Sequence, residues 1–328
     1  MNLVHTMPIT PVLIGPLLAC VRLSFRRTVV VSGCALVLAL AIGAWTGALG
    51  SIGFRVEYGG LVLACAVVPY TARHRAALEA AGARAREVAR STQRLILRPL
   101  SRDLAGTRIC TRYHCAAPES DIGGDLYDVA VTPYGLRVLV GDVRGHGLEA
   151  LRLTAATIAA FRELAYTAPD LPALVTDLDK RLTPELEAED FVTAVLAEFG
   201  PGEVRLVNCG HPAPLRAGRR VELLEPFVPV PPLGLRPDPR QYRVRLQPGD
   251  RLLLYTDGLT EARAADGTPF PLLTEACRAL REPLPDDALD SLYARVVAHT
   301  GARPTDDLAL VLCQPAEVPV PLMSSSTS

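Results

Sequence analysis

The sequence predicts an α+β domain of antiparallel sheets covered by helices, placed behind a pair of membrane-spanning segments. Three observations lead there. Strand-length apolar runs come in groups, at residues 108–115, 125–131 and 136–141 and again at 193–199, 203–207, 242–246, 251–255 and 308–313. Helical patterns come in pairs, 148–166 with 171–186 and 271–281 with 288–299. Grouped strands with paired helices point away from the alternating order of a parallel sheet. The third observation is that no charged residue occurs between Arg27 and Arg55.

That charge-free stretch exceeds the ~20 residues needed to cross a ~30 Å hydrocarbon core, so residues 28–50 read as a transmembrane helix. A second uncharged stretch, 58–72, reaches spanning length by recruiting residues 52–54, with Arg55 and Glu57 at the interface. Arg22, Arg26 and Arg27 precede the first span and Arg73 and Arg75 follow the second. The positive-inside rule then puts both flanks in the cytoplasm. The expected organisation is a cytoplasmic segment 1–27, a transmembrane hairpin 28–72, a linker helix 73–100, a domain 101–314 and a disordered Pro/Ser-rich tail 315–328. This describes a multi-pass protein of the cell membrane with its domain in the cytoplasm. A signal peptide cleaved near Ala44 or Ala48 fits less well, because its apolar segment would span only about 7–15 residues. Residues 7–21 are apolar but hold Pro8, Pro11 and Pro16, and are expected to be irregular at the interface.

Within the linker, Leu78, Ala81, Ala85, Val88, Thr92 and Leu95 alternate at spacings of three and four, a short heptad-like seam. Its small side chains suit a weak homodimer helix, and an ordinary connector accounts for them equally well. Arg86, Arg90, Arg94 and Arg98 form a stripe suited to anionic lipid, although such stripes are more often solvated faces. Pro99 ends the helix.

Composition narrows the chemistry. The 328 residues are 49% hydrophobic with net charge −1, without the basic surplus of a nucleic-acid binder. Lys180 is the only lysine, which excludes a Gly-Lys-Ser/Thr phosphate loop. The eight cysteines include no Cys-x-x-Cys pair, so buried, reduced thiols are expected rather than zinc or disulfides. Cys209 and Arg216 enclose six residues where a cysteine phosphatase needs five, and Ser120 and Ser291, the only serines between 106 and 314, lie in no Gly-x-Ser-x-Gly elbow.

Acids remain. Gly141-Asp142 closes an apolar run, Asp257 follows Leu252-Leu253-Leu254-Tyr255, Asp125 follows Gly123-Gly124, and Asp306-Asp307 precede a strand. One Asp-Gly after a strand is usually a turn. Four such placements without neighbouring lysine suit hard divalent cations, which prefer oxygen ligands.

These motifs resemble the PPM-type metal-dependent serine/threonine protein phosphatases, in the bacterial SpoIIE-like branch that controls sigma-factor partner switching. The resemblance covers about residues 95–314 through Ile122-Gly-Gly-Asp-Leu-Tyr-Asp128, Gly141-Asp-Val-Arg-Gly-His-Gly-Leu-Glu-Ala150, Asn208-Cys-Gly-His-Pro-Ala-Pro-Leu215, Leu233-Gly-Leu235, Tyr255-Thr-Asp-Gly-Leu-Thr-Glu-Ala262 and Thr305-Asp-Asp-Leu-Ala-Leu-Val311. It implies an α-β-β-α sandwich, two Mn²⁺ or Mg²⁺ ions, and dephosphorylation of a phospho-Ser/Thr protein, by resemblance an anti-sigma-factor antagonist. Asp142 resembles the carboxylate bridging both ions, with the Val143 carbonyl as a further ligand. Asp125 resembles a ligand of one ion, and Asp257 and Asp306 ligands of the other, while Asp307 resembles a residue that orients the loop. Such a pair of ions, roughly 3.5–4 Å apart, acidifies a bridging water for in-line attack on phosphorus.

One departure concerns Arg144, which stands where eukaryotic relatives carry a histidine. Arg144 is expected either to hold a phosphate oxygen or to be a solvated loop residue, and His146 should not inherit the histidine's role. His211 is expected to shape its loop by hydrogen bonds, and Tyr127 and Asp128 to pack and cap near the site. The alternative reading is a catalytically weak membrane-tethered regulator that binds a partner through the same fold.

Overall fold

The structure, a computed structural model, describes residues 10–114, 123–301, 304 and 306–316. Cys115, Ile122, Thr305, residues 1–9 and the tail from 317 lie outside the described residues, as do the side chains of Arg86, Arg90, Arg94 and Leu95. The chain divides into two units, Met1–Glu87 and Val88–Ser328.

In the first unit a 3-10 turn, Thr10–Leu13, leads into α1 (Ile14–Arg22) and α2 (Phe25–Trp45), and α3 (Ile52–Ile96) begins after a turn at Gly47. Helix α2 and the Ile52–Ala85 part of α3 are each long and apolar enough to cross a membrane. Ala35, Ala39, Phe54, Leu61 and Cys65 share a small buried cluster. A Cβ at Gly43 would lie 2.4 Å from the Phe54 ring, so glycine there permits the close approach of the two helices. Two expectations change. Residues 10–22 are helical rather than irregular, because Pro11 and Pro16 fall in first turns, where no backbone donor is required. The second apolar stretch and the linker form one 45-residue helix, with Pro69 inside it.

The second unit begins within α3. Its strands are β1 (Ser101–Leu104), β2 (Thr107–His114), β3 (Asp125–Thr132), β4 (Gly135–Val143), β5 (Val192–Gly200), β6 (Glu203–Cys209), β7 (Leu215–Ala217), β8 (Val221–Leu223), β9 (Tyr242–Arg245), β10 (Arg251–Tyr255) and β11 (Leu308–Pro315). They form a six-stranded sheet, β1-β2-β11-β10-β7-β8, and a five-stranded sheet, β3-β4-β5-β6-β9, with antiparallel pairing throughout. Helices α4 (Leu148–Leu164) and α5 (Leu171–Leu182) cover the five-stranded sheet, and α6 (Leu272–Ala279) and α7 (Pro285–Thr300) cover the six-stranded one. The result is the α-β-β-α sandwich.

Side-chain alternation assigns the layers. Leu252, Leu254, Ala309 and Val311 face the five-stranded sheet, packing with Tyr127, Val140 and Val195. Leu253, Tyr255, Leu310 and Leu312 face α6 and α7. Because both faces of β10 and β11 are covered, they read as unbroken apolar runs. Arg137 is fully buried on β4. Its guanidinium donates to Glu198 Oε2 at 2.7 and 2.9 Å and to the Ala165 and Ala168 carbonyls at 2.7 and 2.8 Å, tying the end of α4 to the sheet.

Candidate metal centre

Four strand ends bring the acids together. Asp125 opens β3 and Asp142 lies one residue before the end of β4, and the two are register partners. The pair needs Gly124 beside it: a Cβ there would sit 2.1 Å from the Val143 carbonyl oxygen and 2.7 Å from Asp142 Oδ1. From the other sheet, Asp257 follows β10 and opens a 3-10 turn, while Asp306 and Asp307 lead into β11. A Cβ on Gly258 would meet the Asp307 carbonyl oxygen at 2.0 Å, so glycine is again what lets two segments touch.

Thr256 joins the sheets. Its fully buried hydroxyl donates to Asp125 Oδ2 at 2.7 Å and accepts from the Ala309 amide at 2.9 Å. Asp307 is buried and accepts from the Tyr113 hydroxyl, and its amide donates to Asp306 Oδ1 at 2.8 Å.

The electrostatics are those of unneutralised like charges. Burial, then Asp257, Asp306 and Asp307, push Asp142 up to about 8. Burial, then Asp306 and Glu261, push Asp257 up to about 6. Asp125 is raised well above the ordinary carboxylate range by burial and the Asp142 charge, against the opposing Thr256 hydrogen bond. Among the described residues no arginine or lysine pairs with Asp125, Asp142 or Asp257. Hard oxygen donors that share buried space without a cation fit divalent ions in chemistry. In position they converge without closing a cage, since among the described residues no three His, Cys, Asp or Glu side chains group tightly enough to hold a metal.

The remaining expected residues lie as follows. Arg144 turns to Glu189, donating to its carbonyl and, at 3.3 Å, to its carboxylate, with the guanidinium 5.6 Å from the Phe191 ring centroid. His211 is a buried hydrogen bonder, as expected. Tyr127 is buried and donates to the Arg98 carbonyl at 3.1 Å. Asp128 does not cap: it binds Arg162 of α4 at 2.7 Å, because the side chain at that register position emerges on the helix-covered face. Thr256 and Tyr113 were not singled out by the sequence reading. Thr256 carried a signal in its place beside Asp257 in Tyr-Thr-Asp-Gly, and Tyr113 carried none.

The sandwich and the carboxylates at its common strand ends define the class, the PPM or PP2C-type phosphatase fold. The RsbU and RsbW domains of Rv1364c from Mycobacterium tuberculosis match with a TM-score of 0.57 at 25% identity, over 66% of this chain and 61% of that one. The SiaA-PP2C domain of Pseudomonas aeruginosa matches at 0.56 and 19%, over 74% of this chain and 98% of that one. The catalytic domain of the serine/threonine phosphatase PstP, a complex with two manganese ions, matches at 0.50 and 17%, over 64% and 99%. The family model for stage II sporulation protein E, SpoIIE, matches residues 132–315. The chain belongs to the SpoIIE family.

Proposed function

We propose that this chain is a metal-dependent phosphoprotein phosphatase, anchored in the cell membrane by α2 and the first part of α3 with its catalytic domain in the cytoplasm. The carrying observation is the meeting of Asp125 and Asp142 from one sheet with Asp257, Asp306 and Asp307 from the other, each of the first four expected from sequence, with no described arginine or lysine paired to Asp125, Asp142 or Asp257. In this reading Asp142 would serve both ions, Asp125 and the Val143 carbonyl would complete one site, and Asp257 and Asp306 would hold the other. Two Mn²⁺ or Mg²⁺ ions held there would supply Lewis-acid charge to the phosphoryl group and would acidify a water for attack. Asp307, held by Tyr113, keeps the loop of Asp306 in place. Arg144 holds a phosphate oxygen after leaving Glu189, an exchange with little cost because an exposed ion pair is worth about 1 kcal/mol or less.

The substrate class is a phospho-Ser/Thr protein, in particular a phosphorylated anti-sigma-factor antagonist, which the likeness to an RsbU domain supports. Exposed Leu78 and Val88 on α3 support homodimerisation through the linker, by which that helix would relay signals to the site. The test is release of p-nitrophenol from p-nitrophenyl phosphate by the purified full-length chain. Turnover should require Mn²⁺ or Mg²⁺ and disappear in Asp142→Asn and Asp257→Asn with circular dichroism unchanged. A folded wild-type protein inert with both ions would favour the regulatory binding protein instead.

A further inference from the structure

The turn that carries the chain from β6 to β7, and so from one sheet to the other, holds an imidazole between them. His211 is 6% exposed. Its Nδ1 lies 2.9 Å from Thr193 Oγ1 on β5 of the five-stranded sheet, and its Nε2 lies 3.1 Å from the carbonyl of Tyr255, the last residue of β10 in the six-stranded sheet. A carbonyl oxygen only accepts, so Nε2 carries the proton. Nδ1 is then the acceptor, and the Thr193 hydroxyl donates to it. Burial pushes the imidazole down to about 3, which keeps this neutral tautomer in place at neutral pH. Asn208 fixes the turn from both sides: its amide donates to the His211 carbonyl at 2.8 Å, and its Oδ1 accepts from the His211 amide at 2.8 Å.

The two groups that His211 joins are the neighbours of two carboxylates. Thr193 is the register partner of Asp142, and its hydroxyl lies 3.3 Å from the Asp142 carbonyl oxygen. Tyr255 is two residues before Asp257, and the Leu259 amide of the Asp257 turn donates to the Thr256 carbonyl at 3.1 Å. One rigid ring therefore spans the gap between β5, whose Thr193 lies opposite Asp142 on the neighbouring strand, and β10, which leads into Asp257.

We infer that His211, through Thr193 and Tyr255, is a positioning residue that sets the spacing of the Asp142 and Asp257 carboxylates and thereby the affinity of the site for divalent ions. It contacts neither ion nor phosphate. The inference rests on the metal-centre reading above. Its energetic basis is that hydrogen-bonded partners behind metal ligands orient them, and that their loss costs roughly 10–100-fold in metal affinity.

The experiment is calorimetric titration of Mn²⁺ into the purified full-length protein, with melting temperature and circular dichroism measured in parallel. The variants are His211→Ala, His211→Gln, Thr193→Val and Thr193→Ser. Thr193→Val keeps the side-chain volume and loses only the hydroxyl, so it decides the matter should His211→Ala fail to fold. His211→Ala and Thr193→Val should bind Mn²⁺ roughly 10–100-fold more weakly. His211→Gln, which retains a donor for the Tyr255 carbonyl, and Thr193→Ser should recover much of that loss. Wild-type affinity in folded Thr193→Val, with only the melting temperature lowered, would overturn the inference. Wild-type protein that takes up no Mn²⁺ at all would instead sink the metal-centre reading on which it stands.

Discussion

Asp125 stands directly opposite Asp142 in the register of β3 and β4, while its carboxylate is held by the Thr256 hydroxyl from the other sheet. The contact fixes one carboxylate of the pair across the sandwich, and burial with the nearby Asp257, Asp306 and Asp307 opposes ionisation of its companion. The raised values of Asp125, Asp142 and Asp257 mean that the ion-free domain loses stability as these carboxyls ionise.

The sign of that effect follows from the raised values. An acid whose folded pKa lies above its unfolded one stabilises the fold at low pH and loses that contribution as pH rises through the folded value. For Asp142 the window runs from its ordinary 3.8 to about 8. The ion-free protein should melt lower at pH 8 than at pH 6. Asp142→Asn should melt higher than wild type at pH 8 without added ions, while losing turnover. An Asp142→Asn protein that melts below wild type under those conditions would contradict this.

Gly124 makes the sharpest steric prediction. A Cβ 2.1 Å from the Val143 carbonyl oxygen must push β3 and β4 apart where Asp125 and Asp142 meet. Gly124→Ala should cost about 1–3 kcal/mol in unfolding free energy and abolish Mn²⁺-dependent hydrolysis. Gly145→Ala, where nothing lies within 4 Å but φ is +100°, should show strain without a steric clash. Hydrolysis by Gly124→Ala at the wild-type rate would refute the close approach.

His211 gives the opposite pH dependence. A histidine held near 3 in the fold, against an ordinary 6.5, contributes stability that is complete above pH 6.5 and is lost as the pH falls toward 3. The stability of wild type relative to His211→Gln, measured by urea unfolding, should therefore decline steadily from pH 7 to pH 4. A constant difference across that range would mean that the ring is not enclosed.

Arg137 and Arg162 separate buried from exposed pairing. Removing Arg137 leaves Glu198 Oε2 and two carbonyls without their buried donor, so Arg137→Ala should cost about 3–5 kcal/mol. Arg162→Ala breaks an exposed pair with Asp128 and should cost less than about 1 kcal/mol. Denaturant titrations of the two variants, if they gave equal losses, would count against the buried network.

Much of this was legible in the sequence, for identifiable reasons. Residues 251–255 were predicted as a strand with the observed ends, because a run buried on both faces needs no alternation to stand out. The β7 and β8 strands were not anticipated, since three residues each make too short a pattern. Asp142 and Asp257 announced themselves through glycine at strand ends. The relative weight of Asp306 and Asp307 was not legible: Asp307 is the buried member of the pair, and its partner Tyr113 lies 194 positions away in the chain. Contacts of that range leave no local signature, and neither did the bridge that His211 makes between two sheets.

The most direct measurement is anomalous scattering from crystals of the protein grown with Mn²⁺. Two peaks should lie between the β4 and β10 strand ends, both within coordination distance of Asp142, with Asp125 on one side and Asp257 on the other. A map with no manganese among these carboxylates, or with manganese bound only elsewhere, would contradict the account.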